Sequence, residues 1–383
     1  MPQFPERSER VRAMPGSVYS ALVGRVYARG GEVFPFHIGD TWLEPPGGCR
    51  MEDLRAVDHP GMHRYAPVGG LPRLVGQVVE QVRGRTSLLV ERSEVLITAG
   101  ATSGLSVVIG GLVEPGEEVL ILAPYWPLIA GVVQLFGGRP VAVPLLGEGL
   151  DREAAVAAVA AAQTDATVAL YLNTPNNPTG QQIPASILEA LVGWAASRGL
   201  WIVVDEVYED YVYEGQHTPA RIFAPERTFS AHSFSKAYGM AGNRVGYVVG
   251  PAEPLAEARR VGVHTIYSAP TASQLAAGRV LDGAGAPWVA SAAEAYARIG
   301  RLAASRLGVA APQGSTFLWL DVAEHLDDRG LGGFLEDAGD RGLLLAPGPS
   351  FGPYPSHVRL CFTATTPEIT LRGIEHLAAL LGR

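Results

Sequence analysis

Between Val95 and Gly250 the chain repeats one pattern: a short β-branched apolar run, a turn, then a longer helical stretch. VLI, VLIL, VAV, TVALYL, LWIVVD, TFSAH and RVGYVV are the strand candidates, and helical patterns lie near 102–113, 127–137, 152–162 and 184–198. Strands that are apolar on both faces and separated by helices predict a mostly parallel sheet, because the long connections that parallel pairing requires also cover its faces. Such sheets bind ligands beyond the carboxyl ends of their strands. Two windows here, Val95–Val113 and Val119–Gly138, carry no charged residue and have the length of a membrane span. The first is interrupted by Thr98, Gly100, Thr102, Ser103, Gly104 and Ser106, the second by Pro124 and Pro127. Each therefore reads as a buried strand, a turn and a packed helix. From Pro270 onward the pattern changes to a long helical region broken at DGAGAP, then strand TFLWLDV, a helix, strands GLLLAP and HVRLCF, and a last helix. The expected fold is α/β: a large domain over 40–270 with its sheet covered by helices, and a smaller α+β domain formed by 1–39 and 271–383.

All but one of the 30 basic residues are arginine; Lys236 is the single lysine. A guanidinium stays protonated and is a very poor nucleophile, whereas a lysine amine can lose its proton and condense with a carbonyl. A position that stayed lysine in such a chain is expected to need an amine. The 30 basic residues face 38 acidic ones, a net charge of -8 with no basic run, which argues against a surface that neutralises nucleic-acid phosphates. Cys49 and Cys361 stand in no metal-ligand spacing and offer no disulfide framework, as expected in a reducing compartment. The opening MPQFPERSER puts charges and prolines where a secretory leader needs an apolar run. A cytoplasmic protein without metal, nucleic-acid or membrane partners is the expectation.

Several segments carry chemistry at the predicted strand ends. LWIVVDEVYEDY closes an apolar strand with Asp205, a carboxylate that will be ionised there only if a cation pairs with it. ITAGATSGL turns through small residues into a helix, exposing backbone N–H groups at its positive end, a site suited to phosphate. SFSKAYGMAGNRVGY surrounds Lys236 with hydroxyls and Arg244, groups that donate to phosphate oxygens. YLNTPNNPTG follows another apolar strand. Arg359, inside HVRLCF, is an arginine within an apolar strand and so needs an anion.

In this order the segments resemble the fold-type I aminotransferases of class I/II, which use pyridoxal 5'-phosphate (PLP); the likeness runs from about Phe36 to Phe362. The resemblance implies that Lys236 forms a Schiff base with PLP and then moves a proton from the substrate α carbon to the cofactor, by way of aldimine and ketimine intermediates. Asp205 would hold the pyridinium nitrogen, and Tyr208 and Asn177 the ring's phenolic oxygen. Gly100, Ala101, Thr102, Ser233, Ser235 and Arg244 would hold the phosphate. Trp126 is placed like the aromatic that stacks on the ring, with Tyr125 beside it as the other candidate. Arg359 resembles the arginine that forks onto the substrate α-carboxylate, a bidentate task poorly done by lysine. Gly39 in FHIGD matches a backbone contact nearby, and Asn177 also borders the substrate. Tyr65, in RYAPVGGLPRL, resembles a tyrosine that reaches the partner subunit's cofactor phosphate, with Ser268 a lesser candidate, which implies a homodimer with shared sites. Glu206, Glu209 and Asp210 read as structural or solvated.

The implied activity is transfer of the amino group of an L-α-amino acid to a 2-oxo acid. The same residues serve PLP-dependent C–S β-lyases and cyclising synthases, which remain alternatives. A non-enzymatic PLP-binding regulator is more distant, since only about 35 residues precede the first matched segment, too few for a winged-helix module. A Rossmann oxidoreductase lacks its G-x-G-x-x-G turn. Members selective for dicarboxylates carry an arginine about where this chain has His264, so specific aspartate recognition is not expected, although Arg259 and Arg260 are close in sequence. Pocket shape is expected to depend on Ile38–Trp42, Tyr267 and Pro347–Pro355.

Overall fold

A computed structural model describes residues 8–12, 14, 22–145 and 151–383. Much of the N-terminal stretch read above for a leader lies outside the described residues, as does part of the 1–39 segment. Among the described residues no helix is long and apolar enough to cross a membrane.

Seven strands form the large sheet: β1 (Val95–Thr98), β2 (Glu118–Ala123), β3 (Arg139–Pro144), β4 (Thr167–Asn173), β5 (Trp201–Asp205), β6 (Thr228–Ser233) and β7 (Gly246–Val249). Their order is β1-β7-β6-β5-β4-β2-β3. Pairing is parallel from β3 to β6, and β7 runs antiparallel to both β6 and β1. The mostly parallel sheet read from the sequence is thus present, with one reversed strand.

Side chains alternate across the sheet, as the two-residue period of a strand requires. Ile121, Ala169, Tyr171 and Val203 pack on one face with the helices Gly100–Leu112, Leu128–Leu135 and Ala252–Thr265. Leu120, Leu122, Leu170, Leu172, Ile202 and Val204 pack on the other, against Arg152–Ala162 and Ala185–Ser197. Each fully buried Leu, Ile or Val contributes roughly 1.5–3 kcal/mol over leaving it exposed, so covering both faces fixes the sheet before any site residue is considered.

The register then aligns the functional ends. Asn173 on β4 lies opposite Asp205 on β5, and Asp205 opposite Ala231 on β6. Gly246 on β7 pairs with both Ser233 and Thr98. The chain therefore leaves β1, β4, β5 and β6 at one edge, and each exit carries a segment singled out above.

A second sheet, ordered β8 (Phe317–Asp321), β10 (His357–Cys361), β9 (Ala346–Pro347), is antiparallel. Its core joins Leu318, Leu320, Val358 and Leu360 to Phe34 and Phe36 and to the helices Gly285–Leu307 and Pro367–Leu380. The helical break expected at DGAGAP is present, with Gly283 at φ 119° between the helices Thr271–Arg279 and Gly285–Leu307. Ala276, Ala277 and Val280, assigned above to the small domain, pack with Leu74, Val78 and Ala237 beside the large sheet. We propose, from this packing, that the division between the units falls at this break.

Candidate active site

The exits of β1, β4, β5 and β6 surround a cavity of about 380 Å³ that also receives residues of the smaller unit. Lys236 sits on the short helix Phe234–Ala237 that directly follows β6. That helix starts at Ser233, whose Oγ accepts from the Ser235 N–H at 3.1 Å. The Lys236 ammonium donates to the Gly39 carbonyl. Burial holds its pKa below the ordinary lysine value; the charges of Arg359 and Arg244 act in the same direction, and Asp40 opposes them. Desolvation thus favours the neutral, nucleophilic amine.

Asp205 lines the same cavity and is 4% exposed. Its carboxylate accepts from the Tyr171 hydroxyl at 3.2 Å and the Val207 N–H at 3.3 Å. Burial nonetheless pushes its pKa from 3.8 up to about 6. Two hydrogen bonds do not offset the loss of water, so the site favours a cationic partner for this carboxylate.

The phosphate-type end lies at the helix Gly100–Leu112. No side chain caps its first turn, which leaves amide groups directed outward. Gly100 has φ 78°, and a Cβ there would come within 2.5 Å of the Arg244 guanidinium, so only glycine allows the arginine this close. Arg244 is itself held at φ 52°, a conformation that costs roughly 1–3 kcal/mol for a residue with a side chain. Its guanidinium donates to the Ala241 carbonyl at 2.9 Å and lies 3.5 Å from Ser235 Oγ. Among the described residues it pairs with no carboxylate. Ala101, Thr102, Ser233 and Ser235 line the cavity around it.

Across the cavity Arg359, 4% exposed, projects from β10. It donates to Asn177 Oδ1 at 3.1 Å and to the His37 carbonyl at 2.6 Å. Phe317 and Phe351 flank its guanidinium at 4.4 and 5.0 Å. Asn177 is fixed in turn by its N–H, which donates to Asn173 Oδ1 at 2.7 Å. Tyr208 is buried and meets Phe317 edge-on at 5.6 Å; burial pushes its hydroxyl pKa well above the usual value. Of the two aromatic candidates, Trp126 lines the cavity, while Tyr125 lies beside Gly352.

One chain therefore brings together an amine, a buried acid, a phosphate-type cradle and a carboxylate-type arginine. Residues 43–377 match the family model for aminotransferases of class I and II. The chain belongs to that family. It is 32% identical to a probable aspartate/prephenate aminotransferase of Thermus aquaticus, over 98% of this chain and 99% of the relative. An arginine–pyruvate transaminase of Pseudomonas aeruginosa is also 32% identical, over 93% of this chain and 92% of its own length. The structure of a Thermus thermophilus aspartate aminotransferase with maleate superposes with a TM-score of 0.89 at 30% identity, covering 98% of this chain and all of the other. The protein is thus a PLP-dependent aminotransferase, acting on amino and 2-oxo acids.

Not every residue singled out in this aminotransferase lies at the cavity. Tyr65 is 85% exposed and meets Tyr267 edge-on at 5.0 Å. Ser268 lines a separate crevice with Tyr267 and Arg259. Arg260 pairs with Glu257 at 2.8 Å, and His264 is exposed. Of the residues read as structural or solvated, Glu206 is buried and accepts from the Ala220 N–H at 2.9 Å, and the side chain of Glu209, 8% exposed, lies 2.5 Å from Arg85 and 2.7 Å from His232, so both are structural. Asp210 joins Arg85 at 2.6 Å. Sequence reasoning missed His37, Leu105, Leu128 and Val207, which line the cavity, and Tyr171, which supports Asp205. Tyr171 was legible in principle, since it stands two residues before Asn173 in an otherwise aliphatic run. His37 adjoins Ile38 and Gly39, whose segment had been marked.

Proposed function

We propose that this cavity takes the amino group from an L-α-amino acid and returns it to a 2-oxo acid, with Lys236 as both attachment point and proton carrier. The observation that carries the reading is the placement of the sole lysine in one cavity with a buried acid that favours a cation. Asp205 fits the protonated ring nitrogen of PLP, and Arg244, Ser233, Ser235 and the amides of Gly100–Thr102 fit its phosphate. Trp126 supplies a ring face, and Tyr208 and Asn177 supply polar atoms for its phenolic oxygen. When bound, the cofactor ring accepts the electron pair released as the substrate's α proton leaves.

The chain's own groups do the rest. Arg359, already oriented by Asn177 and the His37 carbonyl, binds the α-carboxylate and points the α proton towards Lys236. Burial keeps Lys236 Nζ ready to accept that proton and to hand it on from the same position. Gly39, whose carbonyl meets Nζ, holds the amine in position. The buried walls exclude water, which strengthens each charge contact.

We further infer a homodimer. The exposed pair Tyr65 and Tyr267, with Ile266 42% exposed beside it, supports the role of Tyr65 and Ser268 as contacts to a second copy's phosphate. A cytoplasmic location is supported by two buried, free cysteines.

Borohydride reduction of the loaded enzyme followed by peptide mapping tests the reading. PLP should be found on the one peptide that contains Lys236, and Lys236→Ala should lose both this label and the visible absorbance of the lysine–cofactor linkage. An unchanged absorbance in that variant would refute the assignment.

A further inference from the structure

We propose that the amino donor carries an uncharged aliphatic or aromatic side chain and that the site discriminates against dicarboxylic substrates. This rests on the cavity reading given under Proposed function. The charged side chains among the described residues that line the cavity are Asp205, Lys236, Arg244 and Arg359. Each has an assigned partner there: ring nitrogen, cofactor carbonyl carbon, phosphate and α-carboxylate. Among the described residues of one chain, this lining leaves no further cation for a second carboxylate.

The remaining lining offers a second carboxylate hydrogen-bond donors but no further positive charge. His37 is 3% exposed; burial first, and then the Arg359 charge, push its imidazole down to about 4, so it is neutral at ordinary pH. Leu105, Pro127, Leu128 and Val207 are apolar parts of the lining, and Phe351 lies 5.0 Å from the Arg359 guanidinium. Asp40 adds a negative charge on the Lys236 side. The arginines nearest in sequence to the expected dicarboxylate position lie elsewhere: Arg260 is paired with Glu257, and Arg259 lines the separate crevice. A carboxylate moved from water into such a wall loses hydration without gaining a counter-charge, and that penalty disfavours it strongly against an apolar group of similar size. An apolar side chain gains from leaving water on the same surfaces. The aspartate in the names of the Thermus relatives is therefore not the donor that this cavity fits.

The test uses the PLP-loaded wild-type enzyme and acids that lack an α-amino group and cannot react. Succinate, 4-methylpentanoate and 3-phenylpropanoate are titrated while the visible absorbance of the cofactor is followed, and calorimetry gives the same dissociation constants independently. At least one of the two apolar acids should bind about tenfold or more tightly than succinate. In single-turnover assays L-phenylalanine or L-leucine should react about tenfold or more faster than L-aspartate at equal subsaturating concentration. Succinate binding as tightly as both apolar acids, or aspartate reacting as fast as both apolar amino acids, would overturn the proposal, including the case in which a second copy brings a cation to the mouth. Absence of any lysine-linked absorbance before titration would instead bring down the cavity reading itself, so the two failures are distinguishable.

Discussion

Replacing Asp205 by Asn should stabilise the cofactor-free protein while weakening its hold on PLP. The carboxyl is 4% exposed, and burial raises its pKa from 3.8 to about 6. At about 1.4 kcal/mol per pH unit, ionising it in the fold costs about 3 kcal/mol relative to the unfolded chain. The folded value lies above the unfolded one, so this cost is absent below about pH 3.8, grows as pH rises through about 6 and is complete above about pH 7. Asparagine is neutral throughout and keeps the local bonds. Its oxygen can accept from the Val207 N–H, and the Tyr171 hydroxyl can turn to accept from its amide. Urea unfolding of cofactor-free wild type and Asp205→Asn should therefore show the variant gaining about 2 kcal/mol on wild type between about pH 4.5 and about pH 7.5. With saturating PLP the order should reverse, because the variant lacks the charge that pairs with the ring nitrogen. A difference that does not change with pH, or a variant less stable than wild type without cofactor at about pH 7.5, would refute the argument.

Two other substitutions test different parts of the structure. Arg85→Met would leave Glu209, whose side chain is 8% exposed, without its guanidinium partner; because Arg85 itself is 30% exposed, the expected loss is about 2 kcal/mol by denaturant unfolding, and a loss below about 0.5 kcal/mol would mean that the cluster contributes little. Gly100→Ala would place a methyl group against Arg244 at a backbone angle suited to glycine. Stability should fall by about 1 kcal/mol, and PLP affinity measured on the cofactor-free protein should drop by at least about tenfold, a 1.4 kcal/mol effect; unchanged affinity in a folded variant would remove Gly100 and Arg244 from the phosphate cradle.

The large sheet was legible because its strands are apolar on both faces, a pattern with few alternative readings. The reversal of β7 was less visible. It follows from the short return between Ser233 and Gly246, which leaves no room for a covering crossover helix. GLLLAP was expected as one strand, yet only Ala346 and Pro347 pair with β10. The run's earlier residues are held instead by Phe34, whose N–H donates to Gly342 at 2.8 Å and whose carbonyl accepts from Leu344 at 3.0 Å. That partner lies more than 300 residues away in sequence, beyond the reach of any local pattern. The site divides in the same way. Lys236, Asp205, Asn177 and Arg359 stand in short strings whose chemistry is unusual for their setting. Leu128 and Leu105 are ordinary apolar residues, and only the packing of their helices turns them towards the cavity. Tyr65 and Ser268 were read as contacts to another copy, and in a single chain they lie away from the cavity.

Arg359 stands on the small sheet, whereas Asn177 follows a strand of the large one. If they bind the substrate acid as proposed, that acid would act as a strap across the molecule, and the free energy of holding its carboxylate would be shared between recognition and the mutual stiffness of two separately packed cores. Occupancy at this one contact should therefore slow hydrogen exchange far from it, along the break at Gly283 where the chain passes between the units.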